Sequence, residues 1–195
     1  MPMPPRLILA SSSPRRLALL AQIGIVPDEI IAPAIDETPH RAELPRLYAA
    51  RMARDKGAVI AQSGADPGAF ILAADTVVAA GQRILPKAED EATARACLDL
   101  LAGRRHQVFS AVSIRTPDGQ IRARTVLSRV GIARLDATQR AAYLASGEWR
   151  GKAGGYAIQG RAAAFIDFLA GSYSGVVGLP LFETMNLLRG LGFFG

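Results

Sequence analysis

The chain has 195 residues, half of them hydrophobic and 21% charged, with a formal net charge of +6. This composition excludes a disordered chain, and the length suffices to bury roughly 70% of the unfolded surface as one domain, residues 1–195, with two lobes around a cleft. The single cysteine, Cys97, excludes a disulfide framework and a multi-cysteine zinc site, and neither a leader in Met1–Arg6 nor an uncharged apolar run near the ~20 residues of a membrane span is visible.

Leu7–Ala10 is a short apolar run and predicts a buried strand ending at Ser11-Ser12-Ser13-Pro14. Ser13 as N-cap and Pro14 as first residue open a helix that carries Leu17, Leu20 and Ala21 and stops at Gly24. A loop or short strand covers Val26–Pro39. Pro45 opens a second helix with Leu47, Tyr48, Met52 and Ala53, ending at Gly57 or a few residues later. Phe70–Ala80 is the strongest apolar run and predicts a strand. Asp90–Leu101 reads as a third helix, with Cys97 on its core side. Gln107–Arg115 and Ile121–Leu135 form a hairpin across Thr116–Gln120. Asp136 caps a fourth helix ending at Gly147. The Gly-rich loop Gly151–Gly160, a strand over Ala163–Leu169, a turn over Gly171–Gly175 and a last helix opening at Pro180 complete the chain. Strands and helices mix without strict alternation, so the expected fold is α/β (mixed α+β), a mixed sheet flanked by helices with a central cleft.

Five features concentrate chemistry. In Ser11-Ser-Ser-Pro-Arg15-Arg16 a strand runs through hydroxyls into a helix N-terminus, whose free N–H groups and dipole favour an anion. Arg15 and Arg16 stand where the dipole disfavours cations, and a bound phosphate would offset that. Asp75 is a lone carboxylate inside Phe70–Ala80, expensive to bury unless paired or metal-bound. Asp36 and Glu37 are adjacent loop carboxylates that, with Asp75, could hold Mg²⁺ beside phosphate oxygens. The basic residues comprise 20 Arg and only three Lys, so Lys56, Lys87 and Lys152 mark places for a compact point charge rather than a planar fork. In the Gly-rich loop, Gln159 has donors and an acceptor suited to a base edge, and Tyr156 stacks or packs. Other patterns carry nothing. The literal G-x-G-x-x-G at Gly190–Gly195 has no helix after it, and His40 and His106 lack metal-ligand spacing, His106 reading as part of a solvated turn.

Seven segments in register resemble the Maf family of nucleoside triphosphate pyrophosphatases: Leu7–Arg16, Ile35–Pro39, Arg54–Lys56, Ala74–Thr76, Ile84–Lys87, Gly151–Gly160 and Gly171–Pro180. The resemblance implies a two-lobed α/β fold with its site in the cleft, and hydrolysis of a nucleoside triphosphate to monophosphate and pyrophosphate. It implies a divalent metal near Glu37 and Asp75, most simply Mg²⁺, with Mn²⁺ or Co²⁺ as alternatives. Asp75 is then the proton acceptor or metal-linked base, with Glu37, Lys56 and Lys87 beside it, and Ser11, Arg15 and Arg16 belong to the phosphate site; Lys152, which as a point charge could clamp a phosphate, also falls inside a matching segment. Arg16, Thr76 and Gln159 resemble the specificity-linked positions of the dTTP/UTP branch; the alternative branch acts on 7-methyl-GTP. A cytoplasmic homodimer acting on a nucleotide, with no nucleic-acid or membrane partner, is the expectation; a nucleic-acid-binding or cell-division regulator is the rival. The chain departs from the family at Pro86-Lys87-Ala88, where Gly-Lys-Pro is usual, and at Gly175, where Asn is usual.

Overall fold

A computed structural model describes residues 5–195; most of the opening segment read for a leader, Met1–Pro4, lies outside the described residues. The first strand, β1 (Arg6–Ala10), is buried from Leu7 onward and leads into α1 (Pro14–Gln22). A short β2 (Glu29–Ile31) follows, then α2 (Pro45–Gln62), which runs five residues past Gly57. Next come β3 (Ala69–Ala80), the two-residue β4 (Arg83–Ile84) and β5 (Lys87–Ala88), and α3 (Glu91–Leu101). The hairpin is β6 (Arg104–Arg115) with β7 (Ile121–Ile132), and α4 spans Ala137–Ser146. The Gly-rich loop contributes β8 (Lys152–Ala153). Beyond it lie β9 (Ile166–Ala170), the one-turn α5 (Tyr173–Val177) and α6 (Leu181–Gly190).

Among the described residues the strands form a seven-stranded mixed sheet in the order β2-β1-β3-β6-β7-β9, with β4 also on β3, and a separate β5-β8 ribbon. β2, β1 and β3 are parallel; β3, β6, β7 and β9 are antiparallel neighbours. This is the expected mixed sheet with flanking helices.

The cores follow from strand alternation. Phe70, Leu72, Ala74 and Val78 of β3 join the larger cluster with α1, α3, α4 and α6 side chains. The opposite face, Ala69, Ile71, Ala73, Val77 and Ala79, packs in two smaller clusters that include α2. Cys97 is buried on α3, as expected.

Local signals place most boundaries. Asp136 accepts from the Gln139 N–H at 2.8 Å while Gln139 accepts from the Asp136 N–H at 3.0 Å, a complete capping box, and Gly147 closes α4 at φ +70°. Ser13 occupies the N-cap of α1, but its side chain makes no capping bond; instead Ser11 Oγ accepts from the Ser13 N–H at 3.1 Å. Two segments differ from the sequence reading. Arg161–Phe165 is a 3-10 turn, so the strand starts only at Ile166, and the turn after Gly171 tightens into α5 because Ser172 Oγ caps Gly175 N–H at 3.0 Å. Leu47 is exposed on α2. No helix among the described residues is long and apolar enough to cross a membrane.

Candidate active site

The site arises where β1 stops and β3 continues. Their parallel register ends at Ala10–Ala73, after which the chain leaves the sheet at Ser11 and opens α1. β3 runs on to Ala80, so Asp75 and Thr76 border the crevice beyond the carboxyl end of β1. Open α/β sheets bind ligands at such a switch in strand order.

Alternation sends these neighbours to opposite faces. Asp75 is on the α2 side. There α2 turns Ala49, Met52, Ala53, Lys56 and Ile60 inward, so Lys56 occupies a core position on the helix. Lys56 Nζ lies 2.7 Å from Asp75 Oδ1 and 2.7 Å from Glu37 Oε1. Glu37 is reached from its loop because Tyr48 Oη donates to its backbone carbonyl at 2.6 Å, and its other oxygen pairs with Lys87. Burial pushes the Glu37 carboxyl up, but hydrogen bonds from Lys56 and Lys87 and their charges together outweigh it and bring it down to about 2. The Tyr48 hydroxyl is pushed up to about 12 by burial and by the Asp75 charge.

Thr76 is on the other face, where its hydroxyl donates to Gly178 O at 3.3 Å. The same carbonyl accepts Arg16 Nε at 2.9 Å, while Arg16 Nη1 donates to Ser11 Oγ at 3.1 Å. Arg15 Nε donates to Val177 O at 3.3 Å. Burial lowers the pKa of both guanidinium groups, the Asp75 charge opposing it at Arg16, yet an arginine stays charged in a protein. Among the described residues neither Arg15 nor Arg16 has a carboxylate partner. Two cations at a helix N-terminus without a carboxylate partner suit an anion.

The Gly-rich loop forms the third wall. The β5-β8 ribbon pairs Lys87 with Ala153 and Ala88 with Lys152, and the Gly154 N–H reaches Pro86 O at 3.0 Å. Gly154 has φ +68°, and a Cβ there would stand 2.7 Å from Val78 Cγ1, so only glycine lets the loop lie this close to β3. Lys152 Nζ donates to Arg150 O at 2.9 Å, and burial followed by the Arg15 charge lowers its pKa.

One cavity of about 380 Å³ is lined by ten of the residues singled out in the sequence as catalytic, metal or substrate candidates: Ser11, Arg15, Arg16, Glu37, Lys56, Asp75, Thr76, Lys87, Lys152 and Gln159. Asp36 is not among its lining residues and instead caps the Thr38 N–H at 2.8 Å. Glu89 and Arg150 also line the cavity and escaped the sequence reading. Glu89 stands two residues after Lys87 with no motif around it, and Arg150 is one of 20 arginines. The lining carries six cationic side chains against three carboxylates, a surplus suited to a polyphosphate. A more apolar cavity of about 320 Å³, lined by Tyr48, Val77, Ile84 and Leu85, meets the first at Glu37, Asp75, Thr76 and Lys87.

Known proteins give the geometry its context. A Rhodospirillum rubrum protein named dTTP/UTP pyrophosphatase is 59% identical over 96% of this chain and 88% of its own length. One of the same name from Caulobacter vibrioides is 57% identical over 97% of each chain. Among solved structures, a HAM1 protein from Coxiella burnetii shares the fold, with a TM-score of 0.50 at 16% identity over 95% of this chain and 99% of that one. The Maf-like protein family matches residues 6–191, a span that contains every residue lining the cavity, and the chain belongs to that family.

Proposed function

We propose that this protein hydrolyses dTTP and UTP to the monophosphate and pyrophosphate, as a single domain in the cytoplasm. The observation that carries the reading is that Arg15 and Arg16 at the α1 N-terminus, without a carboxylate partner among the described residues, face one cavity together with the Lys56-bridged carboxylates Glu37 and Asp75. The two-face alternation of β3 separates the roles. Arg15, Arg16, Ser11, Lys87 and Lys152 hold phosphate oxygens. Asp75 orients a water toward the α-phosphorus and takes its proton; the α–β bridging bond breaks and pyrophosphate leaves against the cationic lining. Lys56 aims Asp75 through its 2.7 Å contact with Oδ1.

The donor set suits a divalent cation, Mg²⁺ or its Mn²⁺ and Co²⁺ alternatives. Glu37 and Asp75 offer hard oxygens beside a phosphate site, and Lys56 engages Asp75 through Oδ1 alone. Among the described residues no three His, Cys, Asp or Glu gather to hold a metal by themselves, which matches an ion shared with substrate phosphates and water. A bound cation would screen the phosphate charge.

The pyrimidine preference rests on the relatives and on Gln159 in the cavity wall, whose amide complements the O4/N3 edge of uracil or thymine. By resemblance the protein acts as a homodimer on nucleotides rather than on nucleic acid. Incubation with dTTP, UTP and 7-methyl-GTP in ¹⁸O-water tests the reading. The expected products are pyrophosphate and ¹⁸O-labelled monophosphate from dTTP and UTP. Label in orthophosphate, with a diphosphate product, would mean attack at the γ-phosphorus and would overturn it. Asp75→Asn is expected to lower kcat by about 10²-fold or more.

A further inference from the structure

Beneath the Gly-rich loop lies a buried polar pair with no part in the reaction as described. His106 is not in a solvated turn: it sits on β6, 3% exposed. Its Nε2 is 2.7 Å from the hydroxyl of Tyr156, itself 6% exposed, and the rings meet edge to face at 5.4 Å. Tyr156 belongs to the loop, four residues after Lys152 and three before Gln159, and it lines the cavity. From α4, Tyr143 Oη donates to the carbonyl of the neighbouring Gly155 at 3.3 Å.

The pair is a poor device for stability alone. His106 Nδ1 is buried with no hydrogen-bond partner among the described residues, so the histidine carries an orphaned polar atom into an apolar cluster. Two apolar side chains would fill the space without that cost. What they would lack is direction. A hydrogen bond fixes the rotation of the Tyr156 ring, and the backbone on both sides of Tyr156 turns with it. Gly151, Gly154 and Gly155 all have positive φ and impose little restraint of their own; the β5-β8 pairing and the Gly154 bond to Pro86 O anchor the start of the loop, and the His106 bond anchors it at Tyr156, nearer Gln159.

We infer that His106 is a positioning residue, which through Tyr156 sets the Gly-rich loop so that Gln159 meets the base. This rests on the reading of Gln159 given above. The test compares kcat and KM for dTTP and 7-methyl-GTP in wild type, Tyr156→Phe, His106→Leu, His106→Gln, the Leu/Phe double variant and Gln159→Ala, with thermal melts to confirm folding. Tyr156→Phe keeps the ring and removes only the oxygen, so it decides the matter even if His106→Leu fails to fold. The expected result is a KM for dTTP raised about tenfold with kcat within about twofold, and a dTTP preference reduced as in Gln159→Ala. The double variant should be no worse than either single one, and His106→Gln, which places an amide near the Nε2 position, should recover most of the preference. If Gln159→Ala loses the preference while Tyr156→Phe keeps wild-type KM and preference, the positioning role is wrong and the base reading stands. If Gln159→Ala keeps the preference, both fall. A loss shared equally by both substrates, without change of preference, means a purely structural pair and also overturns the inference.

Discussion

At the residue scale the site depends on one buried ammonium. Lys56 is 5% exposed and Asp75 6%; the ammonium is held by Asp75 and Glu37, each at 2.7 Å, and the Asp75 carboxylate is held by Lys56. Lys56→Met should therefore cost about 3–5 kcal/mol, chiefly by stranding the Asp75 charge. Lys56→Met/Asp75→Asn should recover much of that loss although neither protein turns over substrate; urea unfolding measures both. Equal instability of the single and double variants would show that the pair is not the source.

The acidic partners set a pH dependence. Glu37 titrates at about 2 in the folded chain, below its ordinary 4.5, because the hydrogen bonds and charges of Lys56 and Lys87 override the opposing effect of burial. Glu43 is likewise lowered to about 2, first by its hydrogen bond from Arg51. A carboxyl that binds its proton less readily when folded stabilises the fold above its unfolded pKa. That contribution is complete above about 4.5 and is lost as the pH falls toward about 2. Urea midpoints should fall over that window, and less steeply in Glu37→Gln; an unchanged slope in that variant would count against the ion pairs as the cause.

At the element scale the Gly-rich loop is the piece most exposed to local backbone demands. Gly154→Ala forces a Cβ onto Val78 at φ +68° and should cost about 1–3 kcal/mol while raising KM for dTTP, since the loop carries both Lys152 and Gln159. Trimming the neighbour in Gly154→Ala/Val78→Ala should return part of the KM but not the strain at φ. A Gly154→Ala protein with wild-type KM would mean the loop does not need its close seat on β3.

At the scale of the whole molecule, a surplus of cations lines the cavity at the switch in strand order, and the ligand that neutralises it should also stabilise the fold. Pyrophosphate at 100 times its Kd should add about 2.7 kcal/mol, or roughly 5–10 °C in Tm for a chain this long. The shift should shrink with added salt and largely vanish in Arg16→Ala. A salt-independent shift would place the binding energy elsewhere.

Much of this was written in local signals. Pro14, Asp90 and Asp136 mark helix starts, and Phe70–Ala80 is too apolar and too rich in β-branched residues to be anything but a buried strand. Of the ten candidate residues that line the cavity, six were legible because their types are costly or unusual where they stand: a carboxylate in an apolar run, two arginines at a helix start, three lysines in an arginine-rich chain; Thr76 came only from the family resemblance. Other features depend on partners distant in sequence. The 3-10 turn at Arg161–Phe165 follows loop docking, with Glu148 accepting the Arg161 N–H at 2.7 Å from thirteen residues away. His106 reads as solvated beside Arg104 and Arg105, because strand alternation buries it only once β6 lies in the sheet against Tyr156. Glu89 and Arg150 gained meaning only when the β5-β8 ribbon brought their segments to one cavity. The sequence alone thus determined which groups are chemically out of place and where elements begin, since both depend on neighbours along the chain. Which of those groups share a cavity, and what holds the loop that joins them, was decided by sheet order and packing, contacts that no local pattern encodes.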